Sequence, residues 1–458
     1  NSDTAMANEV ELKLTLPSVA VEHFLQDSEL TGYQGDPLIL DNQYFDSDDL
    51  LLNQSHAALR IRKSQHGYQQ TLKNKGSSIA GLHVRGEWEY DIPSPELNWD
   101  LFPSDIQIDK KVQESIKPLF KTDFTRHVWM IDYNQSLIEL VLDQGTISAT
   151  GRNKPLCEVE LELKSGDAND LFTLALQLAS RHPLVPCDIS KAERGYKLLH
   201  PNLSFFTPTD FTQAFKNQQD FSLTEFLQET MLHISRRWDD VCATENWWSL
   251  LVLSRQIQAL TWIVNQLPMV PQDIQDNLQR LANCMVDLLE PASLVIALYV
   301  DENNNSQGLN QRLLSLHQPE MREALKGFIK SNELGISLLQ LGQFLYGHKQ
   351  DIAFKEYLAS SLYTLQVSQW QEANKEQMQM LQALAYVFQR LGHPSYESLN
   401  HFINQTLVVQ AMIKAQQIMG SISDESSRAK LGSWVRRLTV ENRTLQDARA
   451  SLFEELKQ

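Results

Sequence analysis

Several segments of the first 200 residues carry charged side chains at every second position. Glu9, Glu11 and Lys13 alternate with Val10, Leu12 and Leu14, and Arg60 and Arg62 alternate with Leu59 and Ile61. Arg85, Glu87 and Glu89 are spaced alike, and Glu158, Glu160 and Glu162 alternate with Val159, Leu161 and Leu163. In a β-strand, residues i, i+2 and i+4 share one face, so each segment has a charged face and an apolar face. An antiparallel sheet with one wet side explains a single such strand. Three glutamates on one face, however, repel one another unless cations compensate. The charged faces are built from Glu, Arg and Lys with little Ser, Thr or Gln. A closed barrel with a charged lumen accounts for the whole set. Arginines and lysines would converge there on an anion, and carboxylates would hold a hard divalent cation such as Mg²⁺ or Mn²⁺. That equipment suits phosphoryl transfer, which demands charge neutralisation around the phosphates more than covalent chemistry by the protein.

The strand pattern is Glu9–Leu14, Ala58–Arg62, Tyr68–Lys73, Glu87–Ile92, Leu137–Asp143 and Cys157–Lys164. Lys75-Gly76-Ser77 and Asp143-Gln144-Gly145 read as turns between runs. Two amphipathic helices are expected among the strands, at Ser18–Asp27 and at Asp167–Arg181, with Asp167 as N-cap and Pro183 just past the end. After about residue 205, apolar spacing changes to three and four residues, as in Thr224–Cys242, Trp247–Gln266, Gln272–Leu289, Pro319–Lys330 and Lys375–Leu391. Asp301–Gly308 is Asn-rich and reads as a loop.

The expected fold is therefore α+β. An N-terminal β-barrel with flanking helices over residues 6–200 is followed by a linker at 201–220 and an all-α helical bundle at 221–458. The chain's 458 residues suit two or three domains. A net charge of −17 disfavours nucleic acid and anionic membrane as partners, so a basic site has to be sheltered in a pocket. Cys157, Cys187, Cys242 and Cys284 form no C-x-x-C pair and read as thiols of a reducing, cytoplasmic compartment. Neither a membrane span nor a signal peptide is indicated.

Glu9-Val10-Glu11-Leu12-Lys13 resembles the E-x-E-x-K signature of the CYTH superfamily, the triphosphate tunnel metalloenzymes. The likeness continues in order through Tyr44-Phe45-Asp46, Leu59-Arg60-Ile61-Arg62 and Thr71-Leu72-Lys73. It then runs through Arg85 with Glu87 and Glu89, Arg126, Asp143 with Gly145, Glu158 to Glu162, and Ser190-Lys191-Ala192-Glu193-Arg194-Gly195. The resemblance implies an eight-stranded antiparallel tunnel in which Lys13, Arg60, Arg62, Lys73, Arg85, Arg126, Lys191 and Arg194 bind a triphosphate. It implies that Glu9, Glu11, Asp143, Glu158, Glu160 and Glu162 hold Mg²⁺ or Mn²⁺, with Glu158, Glu160 and Lys13 nearest the chemistry. Glu87 and Glu89 would orient basic residues by ion pairing.

Inorganic triphosphatase, thiamine triphosphatase, RNA 5′-triphosphatase and adenylate cyclase activities share this tunnel. The helical half stands where some bacterial members carry a conserved-histidine α-helical (CHAD) domain, which implies inorganic triphosphate as substrate and polyphosphate as a ligand of the helical half. Its best H-x-x-R match is His233-Ile-Ser-Arg236. From residue 201 onward acidic residues outnumber basic ones, which departs from the basic face such domains present. A binding-only sensor of the same anion is the alternative from another functional class.

Overall fold

Alternation in the first half builds ten strands: β1 (Ala7–Thr15), β2 (Leu38–Asp46), β3 (Ala57–Ser64), β4 (Gly67–Asn74), β5 (Ser77–Ile79), β6 (Leu82–Ile92), β7 (Lys117–Tyr133), β8 (Ser136–Ala149), β9 (Arg152–Ser165) and β10 (Val185–Pro186). The computed structural model describes residues 7–79, 82–103, 106, 108–304, 307–357 and 374–457. Eight strands pair antiparallel in the order β1-β9-β8-β7-β2-β3-β4-β6, and β6 returns to β1, closing the barrel. Closure leaves these eight strands without a bare edge. Two-residue turns join the longest hairpins: Asn134 and Gln135 at φ 47° and 69°, and Thr150 and Gly151 at φ 45° and 77°. Paired positive φ values give the turn the twist that strands require.

Side chains on the lumen side of one end are apolar. Leu40, Phe120, Phe124, Ile147 and Leu156 cluster there with Tyr196 and Leu198 of the helix Lys191–Leu199. That helix comes close because residue 195 is glycine: a Cβ there would lie 2.0 Å from the Phe120 ring. Its far side is tied by Tyr196, whose hydroxyl donates to buried Asp46 at 2.7 Å. Asp46 also accepts from the amides of Ser47, Leu52 and Asn53. On the outside, helix Asn169–Ala179 lies on β1 and β9 and buries Leu171, Phe172, Ala175 and Leu178.

The chain divides into two units, residues 1–207 with 332–348, and residues 208–331 with 349–458. Helix Glu333–Gly347, which lies in the helical half of the sequence, thus belongs with the barrel. It packs on Asn169–Ala179, where Gln343 donates to Thr173 Oγ1 at 2.9 Å, and Gly335 meets the Leu184 carbonyl so closely that a Cβ would sit 1.7 Å from the oxygen.

The second unit is all helical among its described residues, with long helices at Leu223–Thr244, Trp247–Asn265, Gln272–Leu289, Gln307–Ile329, Lys375–Leu391, Tyr396–Ile418 and Leu438–Leu456. Its core includes Leu294, Leu298, Leu313, Met412 and Trp434. The stretch Gln272–Val300 is long and apolar enough to cross a membrane by composition, and 56% of its most apolar window is buried within the protein.

Five sequence expectations are corrected. Asp143-Gln144-Gly145 is not a turn but the middle of β8, where the missing side chain of Gly145 lets β7 approach. Pro319 does not start a helix; Gln307–Ile329 runs through it, and Gly308 lies inside that helix, not in a loop. Ser18–Asp27 is a 3₁₀ turn, Ser18–Ala20, followed by a five-residue helix, Val21–Leu25. The helix expected from Asp167 begins at Asn169.

Candidate active site

Strand register decides which charges meet. Lys13 stands opposite Glu160 and Glu11 opposite Glu162 across β1 and β9. Glu9 faces Arg85 across β1 and β6, and Lys73 faces Glu87 across β4 and β6. Arg126 faces Asp143 across β7 and β8, and Asp143 faces Glu158 across β8 and β9. Together these strands enclose a cavity of about 240 Å³. Among the described residues, eight basic side chains line it: Lys13, Arg60, Arg62, Lys73, Arg85, Arg126, Lys164 and Lys191. Seven carboxylates accompany them, so the walls nearly neutralise themselves, and a polyanion entering needs more positive charge than the walls have to spare.

The ion pairs are close. Lys73 Nζ lies 2.8 Å from Glu9 and 3.4 Å from Glu87. Burial opposes ionisation of Glu9, yet Lys73 holds its carboxyl below the ordinary range. Glu11 lacks such a partner: burial, then the neighbouring Glu160, push it up to about 7. Arg62 is pulled down to about 9 by burial and by Arg60 and Arg126 nearby. Its Nε donates to Asn42 Oδ1 at 2.7 Å, and buried Asn42 donates in turn to the Thr122 carbonyl at 2.9 Å.

Beneath the cavity, Asp143, Glu158 and Glu160 each offer a carboxylate oxygen within 4.8 Å of the other two, the group of metal-ligating side chains found among the described residues. Arg126 grips Asp143 with two bonds of 2.8 Å. Lys191 Nζ stands among all three carboxylates, 2.8 Å from Asp143, 2.9 Å from Glu160, and paired with Glu158 Oε1. Burial disfavours ionised Glu160, but Lys191, Lys13 and Arg126 outweigh it and hold the carboxyl well below its usual range. Glu158 is 1% exposed, and its Oε2 has no hydrogen-bond partner. A buried all-oxygen donor set with a spare acceptor fits a hard divalent cation.

Seven of the eight basic residues expected to bind phosphate line the cavity; Arg194 does not, and its Nη2 approaches Cys187 Sγ at 3.7 Å. The six expected metal ligands are not gathered at one point. Asp143, Glu158 and Glu160 cluster, whereas Glu9 pairs with Lys73 and Glu162 with Lys164. Glu87 does pair with Lys73 and, at 4.0 Å, with Arg60; Glu89 accepts from Thr71 at 3.3 Å. Sequence reading missed Glu139 and Lys164 in the lining and Asn42 behind it, and quoted Tyr44 and Ser190 within motifs without giving them a role. Alternation across β2 and β8 could have flagged Tyr44 and Glu139, which keep step with Asn42 and Asp143. In the second unit, His233 of the H-x-x-R segment is turned to the Tyr386 hydroxyl, 2.7 Å away.

The model of the CYTH domain matches residues 7–196. Those residues are a CYTH domain. The match takes in every strand of the barrel and the helix Lys191–Leu199 as far as Tyr196, and leaves out Glu333–Gly347. An inorganic triphosphatase from Haemophilus influenzae is 34% identical over 202 residues, which is 43% of this chain and 56% of that protein. The chain thus spans a little over half the length of that relative. Two solved structures are similar to the CYTH domain. One, from Hippeastrum, is described as a candidate adenylyl cyclase with a dominant triphosphatase activity (20% identity, 43% of this chain and 100% of that one, TM-score 0.33). The other is described as a candidate adenylate cyclase from Bacillus halodurans (24% identity, 41% and 96%, TM-score 0.28).

Proposed function

We propose that the CYTH domain hydrolyses inorganic triphosphate to diphosphate and phosphate with Mg²⁺ or Mn²⁺. The carrying observation is the lining itself: among the described residues, eight basic side chains and seven carboxylates, with Tyr44 as the one aromatic ring. That ring is stacked on Phe120 at 4.8 Å and offers no open platform for a nucleobase or thiazole. The likeness to the H. influenzae inorganic triphosphatase supports the same substrate.

Arg60, Arg62, Lys73 and Arg85 bind phosphate oxygens along the lumen. Lys13 and Arg126, which flank Glu160, hold the terminal phosphate over the carboxylate cluster. Asp143, Glu158 and Glu160 would hold the cation. When bound, that ion supplies positive charge and makes a neighbouring water a better nucleophile. Water attacks the terminal phosphorus, the bond to the bridging oxygen breaks, diphosphate leaves with that bond's electron pair, and the water's protons go to the released phosphate and to solvent. The arginines and lysines are already in place around that charge, so little reorganisation is needed during the reaction.

The test compares kcat/KM for inorganic triphosphate, ATP and thiamine triphosphate, with cyclic AMP assayed in the ATP samples. The reading expects inorganic triphosphate to lead by at least tenfold. A nucleotide as the best substrate, cyclic AMP formation, or tight triphosphate binding without turnover would each overturn it.

A further inference from the structure

We propose that Lys191 is the resting occupant of the divalent-cation position, so that metal and triphosphate bind cooperatively through this one side chain. The inference rests on the triphosphatase reading for the identity of the anion, but its test does not depend on turnover.

An ammonium group has three N–H donors, and Lys191 Nζ meets three carboxylates: Asp143 at 2.8 Å, Glu160 at 2.9 Å, and Glu158. Those are the same three whose oxygens lie within 4.8 Å of one another. A small divalent ion at its usual ~2.1 Å oxygen distance would sit where the ammonium sits, and the two charges cannot share that place. Asp143 and Glu158 do not line the open cavity, whereas Lys191 does. A cation arriving from the lumen therefore meets Lys191 before it meets those two ligands.

The backbone beneath Lys191 is fixed. Ser190 caps the helix through the Glu193 amide, Gly195 lies against Phe120, and Tyr196 is bonded to Asp46. Exchange therefore falls to the four-carbon stem of the lysine, which is flexible. Of the lining carboxylates a displaced ammonium would meet, Glu9, Glu87, Glu160 and Glu162 already pair with a lysine or arginine. Phosphate oxygens in the cavity supply the missing counter-charge, so the anion favours metal entry and, by linkage, the metal favours the anion.

The probe is Mn²⁺, titrated by calorimetry into the full chain as wild type, Lys191→Met and Lys191→Arg, with and without imidotriphosphate, a non-hydrolysable triphosphate. The proposal expects Lys191→Met to bind Mn²⁺ at least tenfold more tightly than wild type without the anion. It expects the analogue to tighten Mn²⁺ binding at least tenfold in wild type and much less in Lys191→Met. Lys191→Arg, which keeps a cation, should resemble wild type without the anion. If Lys191→Met folds only with Mn²⁺ present, the ion is replacing the ammonium, which also supports the proposal. Equal or weaker Mn²⁺ binding by Lys191→Met would overturn it, as would the absence of any effect of the analogue on wild type. Tightened Mn²⁺ binding in a protein that turns over no triphosphate would retain the exchange and remove the substrate reading.

Discussion

Replacing Glu160 by Gln separates catalysis from anion binding. Glu160 Oε1 lies 2.9 Å from Lys191 and 3.6 Å from Lys13, and Oε2 lies 3.5 Å from Arg126. Glutamine keeps the shape and an acceptor for Lys191, so the variant should fold; replacing a charged acceptor by a neutral one costs about 1–2 kcal/mol of stability. It removes one negative charge from a wall that is nearly neutral. For a phosphate about 6 Å away, at an effective dielectric near 20, that charge opposes binding by roughly 2–3 kcal/mol, before screening by water. Triphosphate binding in EDTA should therefore stay the same or tighten. Turnover should fall by roughly 10²–10⁴, since a carboxylate of the cation site is gone. Calorimetry in EDTA and phosphate release in Mg²⁺ measure the two effects on one preparation. Retained turnover, or weaker anion binding by a folded variant, would refute the placement of Glu160 between cation and phosphate.

Other substitutions probe the surroundings of the site. Asn42→Ala removes the acceptor that orients Arg62 and a donor to the Thr122 carbonyl; KM should rise several-fold with a smaller change in kcat, and stability should fall by about 1–2 kcal/mol, checked by kinetics and urea titration. Gly195→Ala places a methyl 2.0 Å from the Phe120 ring, so thermal melting should show a loss of roughly 1–3 kcal/mol, and activity should drop as the helix carrying Lys191 shifts. In the second unit, burial and then Arg390 and Arg237 depress His233 to about 4. The unfolded chain binds that proton more readily, so the stability His233 contributes is complete above about pH 6.5 and is lost as pH falls toward 4, by about 3 kcal/mol at most. Denaturant titrations at pH 7.5 and 4.5 should show that His233→Gln removes this part of the pH dependence.

The local half of the fold was legible because two-residue alternation is a local signal. Glu9 to Lys13, Arg60 with Arg62, and Glu158 to Glu162 each declared a strand and a charged face. β7 escaped because Lys121, Asp123 and Arg126 put charge on both of its faces. The cation cluster was half legible. Glu158, Glu160 and Glu162 share a face, but alternate residues are spaced about 6.6 Å along a strand, so one ion cannot take all three. The third carboxylate comes from Asp143, through a β8–β9 register that no local pattern encodes. The same is true of Asn42, which holds Arg62 across a strand pair, and of Glu333–Gly347, whose place in the barrel unit depends on contacts with residues more than 140 positions away. Lys191 was marked as a phosphate ligand by its motif; its position among three carboxylates follows from the helix being pinned by Gly195 and Tyr196.

The most direct test of the central claim is the initial rate of phosphate release from inorganic triphosphate by the full chain, in Mg²⁺, in Mn²⁺ and in EDTA, with diphosphate measured alongside. The account predicts one phosphate and one diphosphate for each triphosphate consumed, with turnover abolished by EDTA and restored by added metal. A folded protein that releases no phosphate in either metal, or one whose rate is indifferent to EDTA, would contradict it.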